Sequence, residues 1–450
     1  MNQFLSSVVA TLTIASLSAA NPSAFPHHQN PDEIVVTRGD KVLGSIPCER
    51  IVLDGKGRWN TEGGYCYTRG QVGRTSDGKM YARVGSAWGA YFVAESSLDV
   101  FFESHDDGRT WPGRWNVDLP QKRLPGNFIV LDDDSFLVSA TQSTDSVVSI
   151  YRSTDRGRTW KLVSEIPAHP FEENYLDGNL LQLQDGTILL PLNFAVPAED
   201  EDFQTHTGLE FVLRSTDRGH SWHGGPDLTI WEPLIKARLS VLPKGPDSYI
   251  PGGTFMGCYE TGLAQEPSGR VLATLRFSGY PWVWHERMKE AWGGREPDKI
   301  GRIFRQVMFS ASDDGGLNWE MMRPFADADG ESVIIQQETN GQMVPLGDGR
   351  IVLIHQRRFG PYQLVGRVSI DGGKTWLHDE YRISAGFGYS GSVVLDDGTI
   401  VTCTGKSIAS NILGADSKGG EEVEGRHEAQ IIRWKLPPNE EVLSMSQSGS

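Results

Sequence analysis

Two short sequence signals alternate along this chain and restrict the folds that it can adopt. The first is an aspartate box, S-x-D-x-G-x-(T/S/N)-W, present at residues 104–111, 153–160, 215–222, 312–319 and 369–376. Its Ser and Asp side chains hydrogen-bond within a tight turn, its Gly takes a positive φ, and its Trp anchors the turn on a sheet. Each box therefore predicts a turn between two strands.

The second signal is a hairpin turn followed by an apolar strand. It occurs at residues 77–78, 133–134, 185–186, 268–269, 348–349 and 397–398. Each of the first five hairpins is followed by one box, which is the order expected when hairpins join strands 1 and 2 and boxes join strands 3 and 4. An all-β repeat of roughly 50 residues is typical of a propeller. The sequence predicts a six-bladed β-propeller of four-stranded antiparallel blades.

The repeats also divide the chain. Residues 21–436 form one predicted propeller domain, and residues 1–20 have the apolar middle and small terminal residues of a signal peptide, so we expect secretion. The sixth repeat lacks a box, and we expect residues 431–434 and an N-terminal strand near residues 33–36 to complete it, which closes the ring. The polar residues 437–450 predict a disordered tail.

Composition excludes several partners. The net charge is −16 and no Lys/Arg-rich run occurs, so we expect no nucleic-acid binding. No apolar run after residue 20 is long enough to span a membrane. Four cysteines lack metal-binding spacing and could be either disulfide-bonded or buried thiols. No cofactor motif is present, and we expect a monomer that uses neither a cofactor nor a metal.

Candidate functional residues come from positions at a fixed distance from the hairpins. The innermost strands of a propeller meet at its axis, and the residues nine positions before the second hairpin residue are Arg69, Pro125, Asp177, Glu260, Asn340 and Tyr389. The strands after the fourth and fifth hairpins add Arg276, Arg357 and Arg358. Each of these could instead form a structural ion pair or pack in the core, but polar groups that converge at one opening predict a ligand site.

The boxes and this residue set resemble the exo-sialidases (neuraminidases) of the sialidase superfamily, also called BNR-repeat proteins, over most of the chain. Sialidases carry a Glu nine residues before the fourth hairpin glycine, as Glu260 does, and an Arg after it, as Arg276 does. They carry a further Arg upstream of a Tyr-Ser pair, where this chain has Arg357, Arg358 and Tyr389-Ser390. Their first Arg stands one place before Arg69, a shift that a β-bulge would absorb.

The resemblance implies a retaining glycosidase that acts on a terminal acidic sugar of a glycan. Tyr389 would be the nucleophile and Glu260 its base, because the sugar's own carboxylate repels a carboxylate nucleophile. Arginine side chains would bind that carboxylate. The residues implied in substrate binding are Arg69, Arg276, Arg357 or Arg358, Asp177 and Asn340. For the acid that protonates the leaving group the sequence offers Glu95 and Asp99, and we expect Glu95.

Two other functions are compatible with the same residues. One is an exo-acting glycosidase on a neutral sugar, as in arabinanase-like propellers, with Asp177 and Glu260 as paired carboxylates. The other is a non-catalytic propeller that binds glycans or proteins, with Trp282, Trp284 and Trp292 as a stacking rim. Charge at the axis discriminates among them, because three convergent arginines require a carboxylated ligand.

Overall fold

The computed structural model describes residues 32–54, 69–85, 99–120, 124–142, 145–166, 173–175, 178–197, 206–224, 257–279, 304–320, 323–334, 338–357, 363–386, 388–407 and 427–447. The signal peptide predicted at residues 1–20 and the three tryptophans of the predicted stacking rim lie outside these ranges. Within them almost all regular structure is β-strand, and the helix α1 (Asn439–Gln447) follows the last strand.

The described strands pair into four sheets, two of four strands, one of eight and one of nine. Each of the two larger sheets contains two blades, so the strands group into the six blades that the repeats predict. Two strands precede the first blade, β1 (Glu33–Arg38) and β2 (Lys41–Asp54). Blade 1 contains β3 (Arg69–Arg74), β4 (Met80–Gly85), β5 (Val100–Ser104) and β6 (Gly113–Asn116), and blade 2 contains β7 (Leu124–Val130), β8 (Phe136–Gln142), β9 (Asp145–Ser153) and β10 (Lys161–Ile166). Blade 3 contains β11 (Glu173–Tyr175), β12 (Leu181–Gln182), β13 (Ile188–Pro197) and β14 (His206–Ser215), and blade 4 contains β15 (Gly257–Gln265), β16 (Val271–Gly279), β17 (Phe304–Ser312) and β18 (Arg323–Pro324). Blade 5 contains β19 (Glu338–Pro345), β20 (Ile351–Arg357), β21 (Gln363–Ser369) and β22 (Glu380–Ala385), and blade 6 contains β23 (Ser390–Val394), β24 (Ile400–Ser407) and β25 (His427–Trp434).

The aspartate boxes are turns held by their own side chains, as predicted. In the third box the Ser215 hydroxyl donates to Asp217 at 2.8 Å, and the Gly219 amide donates to the Ser215 oxygen at 2.8 Å. Asp217 also accepts from the amide and the hydroxyl of Ser221, and the Trp222 indole donates to the Gly219 carbonyl. These bonds satisfy most of the polar groups of the turn within eight residues. Ser164 of the preceding blade adds a hydrogen bond to the Gly219 carbonyl and accepts one from the Trp222 indole.

The core lies between neighbouring blades. Tyr81 and Phe101 of blade 1 pack edge-on against Phe136 and Phe128 of blade 2, each pair with ring centroids 4.8 Å apart. Further buried clusters of apolar side chains join the other neighbouring blades in the same way. Because every blade packs its two faces against neighbours, the edges of the innermost strands meet at the axis, where their polar groups are available to a ligand.

The ring closes through β2. The second half of this 14-residue strand pairs with β25, from Cys48↔Trp434 to Asp54↔Ala429, and so forms the outer strand of blade 6. The strand expected to close the ring, near residues 33–36, instead pairs with β22 of blade 5 through Val35↔Arg382. The difference arises because β1 and β2 form a hairpin, and β2 is long enough to pair with β1 in its first half and β25 in its second.

The segment after residue 436 also differs from the expected disordered tail. Residues 439–447 form α1, with Val442 fully buried and Met445 packed against the same cluster. Arg38 of β1 donates to the Ser446 hydroxyl at 2.6 Å. Apolar side chains three positions apart lie on one face of a helix, and this short face is enough to hold the segment on the β1–β2 hairpin. In the part of the chain that is described, no helix is long and apolar enough to cross a membrane.

Candidate active site

A pocket opens at the axis, where the innermost strands begin. Its lining includes four members of the ring predicted nine positions before the hairpins, namely Arg69, Glu260, Asn340 and Tyr389. These residues come from blades 1, 4, 5 and 6, and the equal offsets therefore do place them at one opening. Asp177, Glu95 and Arg358 lie outside the described residues.

β-Bulges place two of these side chains. The strand register shifts between Tyr259 and Gly262 in β15, and between Thr339 and Gln342 in β19. Within these bulges Glu260 has a φ of 52° and Asn340 a φ of 45°. Non-glycine residues with positive φ are uncommon and cost free energy, and outside turns such residues cluster at functional sites. The bulge in each of these two strands changes the direction of one side chain, Glu260 in one and Asn340 in the other.

Glu260 joins Tyr389 and Arg276 in one buried group. The Tyr389 hydroxyl donates to Glu260 Oε1 at 2.5 Å, although the two residues are 129 positions apart in sequence. Arg276 Nη1 donates to the same oxygen and forms an ion pair with it. Tyr389 is 8 % exposed, Glu260 4 % and Arg276 5 %. A phenol that donates to a carboxylate in a water-poor site has the arrangement of a nucleophile and its base.

Arg69 is the arginine nearest the phenol. Its guanidinium carbon lies 5.2 Å from the centroid of the Tyr389 ring. The two residues also form a parallel bridge, in which the Gly70 amide donates to the Tyr389 carbonyl at 3.0 Å. A side chain at Gly70 would come within 2.5 Å of the Cys403 backbone, so glycine is required for this contact between blades 1 and 6. The contact holds Arg69 beside the phenol.

The other two described arginines of the predicted set are engaged by carboxylates. Arg276 is held by Glu260, and Arg357 Nη1 forms an ion pair with Glu380 at 2.7 Å. Arg367 binds the other oxygen of Glu380 at 2.8 Å. Neither Arg276 nor Arg357 contributes to the lining of the pocket among the described residues. Arg69 therefore lines the pocket itself, whereas Arg276 is connected to the pocket through its ion pair with Glu260.

Asp99, the alternative acid, lies in a buried ion pair. It accepts from Arg83 at 2.5 Å, and burial raises the pKa of Asp99 while the Arg83 guanidinium opposes this shift. Arg83 also donates to the Gln71 side chain at 2.9 Å and to the Gly126 carbonyl at 2.7 Å. Gln71 lines the pocket. The Arg83–Asp99 pair therefore holds the side chain of Gln71, which lines the pocket.

A second set of pocket residues was not among those predicted from the sequence. Glutamine and asparagine side chains line the pocket at Gln71, Asn127, Asn179 and Gln342. All four stand seven positions before the second hairpin residue, so the counting that found the first ring would have found them two places further along the strand. Among the described residues, no group of three or more His, Cys, Asp or Glu side chains could hold a metal ion.

Comparisons with known proteins show the fold. No protein-family model matches the chain, and no curated protein matches it in sequence. A protein of unknown function from Dyadobacter fermentans is similar in structure, with 16 % identity, a TM-score of 0.56, and coverage of 89 % of this chain and 99 % of that one. An α-L-arabinofuranosidase of Fusarium graminearum, solved with arabinobiose, has 14 % identity, a TM-score of 0.55, and coverage of 86 % and 98 %.

A Hadza microbial sialidase has 16 % identity and a TM-score of 0.49, with coverage of 82 % of this chain and 66 % of the sialidase. This chain thus matches only part of that protein. At such identities a likeness shows the fold alone. The chain is therefore a β-propeller, as its aspartate boxes and hairpins predict.

Proposed function

We propose that this protein is a glycoside hydrolase that removes a terminal sialic acid, or a related acidic sugar, from glycans with retention of configuration. The observation that carries the proposal is the buried hydrogen bond from Tyr389 to Glu260 at the axis. The similarity in fold to an arabinofuranosidase supports the broader class of glycosidase.

The proposed reaction has two steps. Glu260 accepts the phenolic proton while the Tyr389 oxygen attacks the anomeric carbon, and the bond to the leaving oxygen breaks as an acid protonates that oxygen. Water then attacks the same carbon from the vacated side and gives its proton to the carboxylate of that acid, while the bond from the carbon to the Tyr389 oxygen breaks and Glu260 returns the phenolic proton. A neutral nucleophile is suited to this substrate because a carboxylate would be repelled by the sugar's carboxylate. We assign the acid to Glu95, which lies beyond the described residues.

Arg69 is the proposed anchor for the sugar's carboxylate. Its guanidinium lies over the Tyr389 ring and lines the pocket. A guanidinium can bind two carboxylate oxygens at once, and beside the nucleophile it would hold the anomeric carbon in reach. Arg276 holds Glu260 in place through their ion pair. Because a signal peptide is predicted, the proposal includes secretion and a glycan substrate outside the cell. The proposal also includes that the protein acts as a monomer.

One observation favours a second candidate, a glycosidase for a neutral sugar. Arg276 and Arg357 both face carboxylates of the protein, so within the described part of the pocket Arg69 is the arginine that a ligand would meet. A neutral pentose needs no arginine clamp. In this case Glu260 would act with Asp177 as a carboxylate pair, and Tyr389 would orient Glu260.

Hydrolysis of a fluorogenic α-sialoside by the wild type and by Tyr389→Phe tests the proposal. We expect release by the wild type and a loss on the order of 10³-fold or more in Tyr389→Phe, because removing a nucleophile abolishes the covalent path. Tyr381→Phe is the matched control, since Tyr381 is buried in blade 5 away from the pocket, and it should retain activity. Full activity of Tyr389→Phe would overturn the mechanism. Cleavage of an α-L-arabinoside, with none of the sialoside, would select the second candidate.

A further inference from the structure

A second ring of side chains lies in the same pocket as the candidate catalytic group. Seven positions before the second hairpin residue, the six blades present four carboxamides and two glycines, and all six residues line the pocket: Gln71, Asn127, Asn179, Gly262, Gln342 and Gly391. None of these side chains is charged. The pocket therefore has a charged set, with Arg69 and Glu260, and a neutral set two positions further along each innermost strand.

Two of the carboxamides are engaged by the protein. Gln71 accepts from Arg83 at 2.9 Å. Asn179 binds the backbone of Leu263 in the neighbouring blade, donating to its carbonyl at 3.0 Å and accepting from its amide at 2.6 Å. Their roles are structural, because they hold one innermost strand to its surroundings.

Asn127 is different. Its side chain is 1 % exposed, yet within the described ranges neither its amide oxygen nor its amide nitrogen has a hydrogen-bonding partner. The side-chain oxygen of Gln342 is likewise buried and without a described partner. Buried polar groups in native proteins are almost always hydrogen-bonded, and an exception calls for a ligand, a water or a functional role. Buried polar atoms without described partners on two side chains of one pocket indicate that a ligand binds between them.

The two residues occupy opposite sides of the axis. Asn127 precedes the hairpin of blade 2 and Gln342 that of blade 5, and in a ring of six these blades face each other. A group that enters along the axis passes between them. A carboxamide offers both donors and an acceptor, which matches a hydroxyl or an amide substituent and gives no advantage to an ion.

We propose that Asn127 and Gln342 form a neutral subsite that binds a hydroxyl or amide substituent of the terminal sugar and contributes to sugar specificity. The proposal rests on the proposed glycosidase function. Arg69 and the Tyr389–Glu260 pair hold the reacting end of the sugar, and the carboxamides bind a substituent further along the axis. A pocket built to hydrogen-bond such a group discriminates strongly against sugars that lack it, because its buried polar groups are then left without partners.

Calorimetric titration of the full chain with free N-acetylneuraminic acid and with L-arabinose tests the proposal. Asn127→Leu and Gln342→Met remove the amides at nearly constant size. We expect each to weaken binding of the sugar that the wild type binds by about tenfold or more, and to leave the melting temperature unchanged or higher, because an apolar group replaces a buried amide without a partner. Asn179→Leu is the control, and it should lower the melting temperature, because it removes two hydrogen bonds to Leu263.

The outcomes separate the two proposals. If the wild type binds L-arabinose and not N-acetylneuraminic acid, the sialidase proposal is wrong, and the subsite stands provided that the two variants weaken arabinose binding. Wild-type affinity in both variants would overturn the subsite and leave a bound water as the partner of Asn127. A wild type that binds neither sugar would overturn both proposals, since the subsite is assigned to a sugar.

Discussion

Single residues at the axis combine backbone strain with buried charge. Glu260 and Asn340 hold positive φ values of 52° and 45°, which costs of order 1–3 kcal/mol each at non-glycine residues. Glu260 also buries an ion pair with Arg276. Buried ion pairs seldom add stability over apolar packing, so this pair is better explained by its chemistry than by its contribution to folding.

The Glu260→Gln variant separates the role of Glu260 in catalysis from its effect on stability. We expect kcat on a glycoside substrate to fall by about 10²–10⁴-fold, because an amide cannot take the proton of Tyr389. The free energy of unfolding should fall by about 3–5 kcal/mol, because the buried Arg276 loses this counter-charge. Steady-state kinetics and denaturant unfolding measure the two quantities.

The double variant Glu260→Gln/Arg276→Met is the control for the stability effect. It should recover most of the lost stability, because neither charge of the buried pair remains, but none of the activity. Wild-type kcat in the single variant would show that Glu260 is not the base.

The aspartate box recurs in five blades, and the hydrogen bonds to its Asp determine how the stability of the box depends on pH. The hydroxyl and amide of Ser221 lower the pKa of Asp217 to about 2. The backbone amide and side chain of Asn318 lower the pKa of Asp314 to about 2. An unperturbed aspartate has a pKa of about 3.9. Each folded carboxylate thus holds its proton less tightly than the unfolded one.

This difference fixes the sign of the pH dependence. The unfolded state binds more protons between about pH 4 and pH 2, so the contribution of the box carboxylates is complete above the unfolded pKa and is lost as the pH falls toward the folded pKa. We expect a steep fall in melting temperature over this range. Asp217→Asn should lower the melting temperature at pH 7 and flatten the fall, whereas Asp118→Asn, at an exposed position outside the boxes, should change neither. Equal pH profiles for wild type and Asp217→Asn would contradict this.

At the scale of the whole molecule, the ring is held by contacts that reach between its first and last strands. Arg50 on β2 is mostly buried and donates to the Ile383 carbonyl of blade 5 at 2.5 Å and to the Glu33 carbonyl of β1 at 3.2 Å. Burial lowers the pKa of Arg50 from its ordinary value. One side chain thus joins blade 5, the N-terminal hairpin and the closing strand of blade 6.

Arg50→Met tests the importance of this closure. It removes charge-assisted hydrogen bonds from two backbone carbonyls, and we expect the free energy of unfolding to fall by about 1.5–3 kcal/mol while kcat of the folded enzyme is unchanged. Arg114→Met is the control, because the Arg114 side chain is about half exposed where it pairs with Asp54, and an ion pair open to solvent is worth about 1 kcal/mol or less. Chemical denaturation gives both values, and equal losses in the two variants would show that Arg50 has no special role in closure.

The sequence alone determined the blades and the positions of the candidate site. A box or a hairpin closes most of its hydrogen bonds within about eight residues, so its turn can be predicted from a short window. The fixed offset from the hairpins then predicted that Glu260, Asn340 and Tyr389 meet at the axis, and they do.

Only the tertiary structure decided which groups pair once they meet. Tyr389 binds Glu260 across 129 positions, Arg357 turns to Glu380, and β2 rather than β1 closes the ring. From the sequence alone, a charged side chain or a strand edge could pair with any of several partners. The actual partner is the one that the bulges and the packing of the blades bring within about 3 Å. Local turns depend on their own residues, whereas pairing depends on distances that only the closed ring sets.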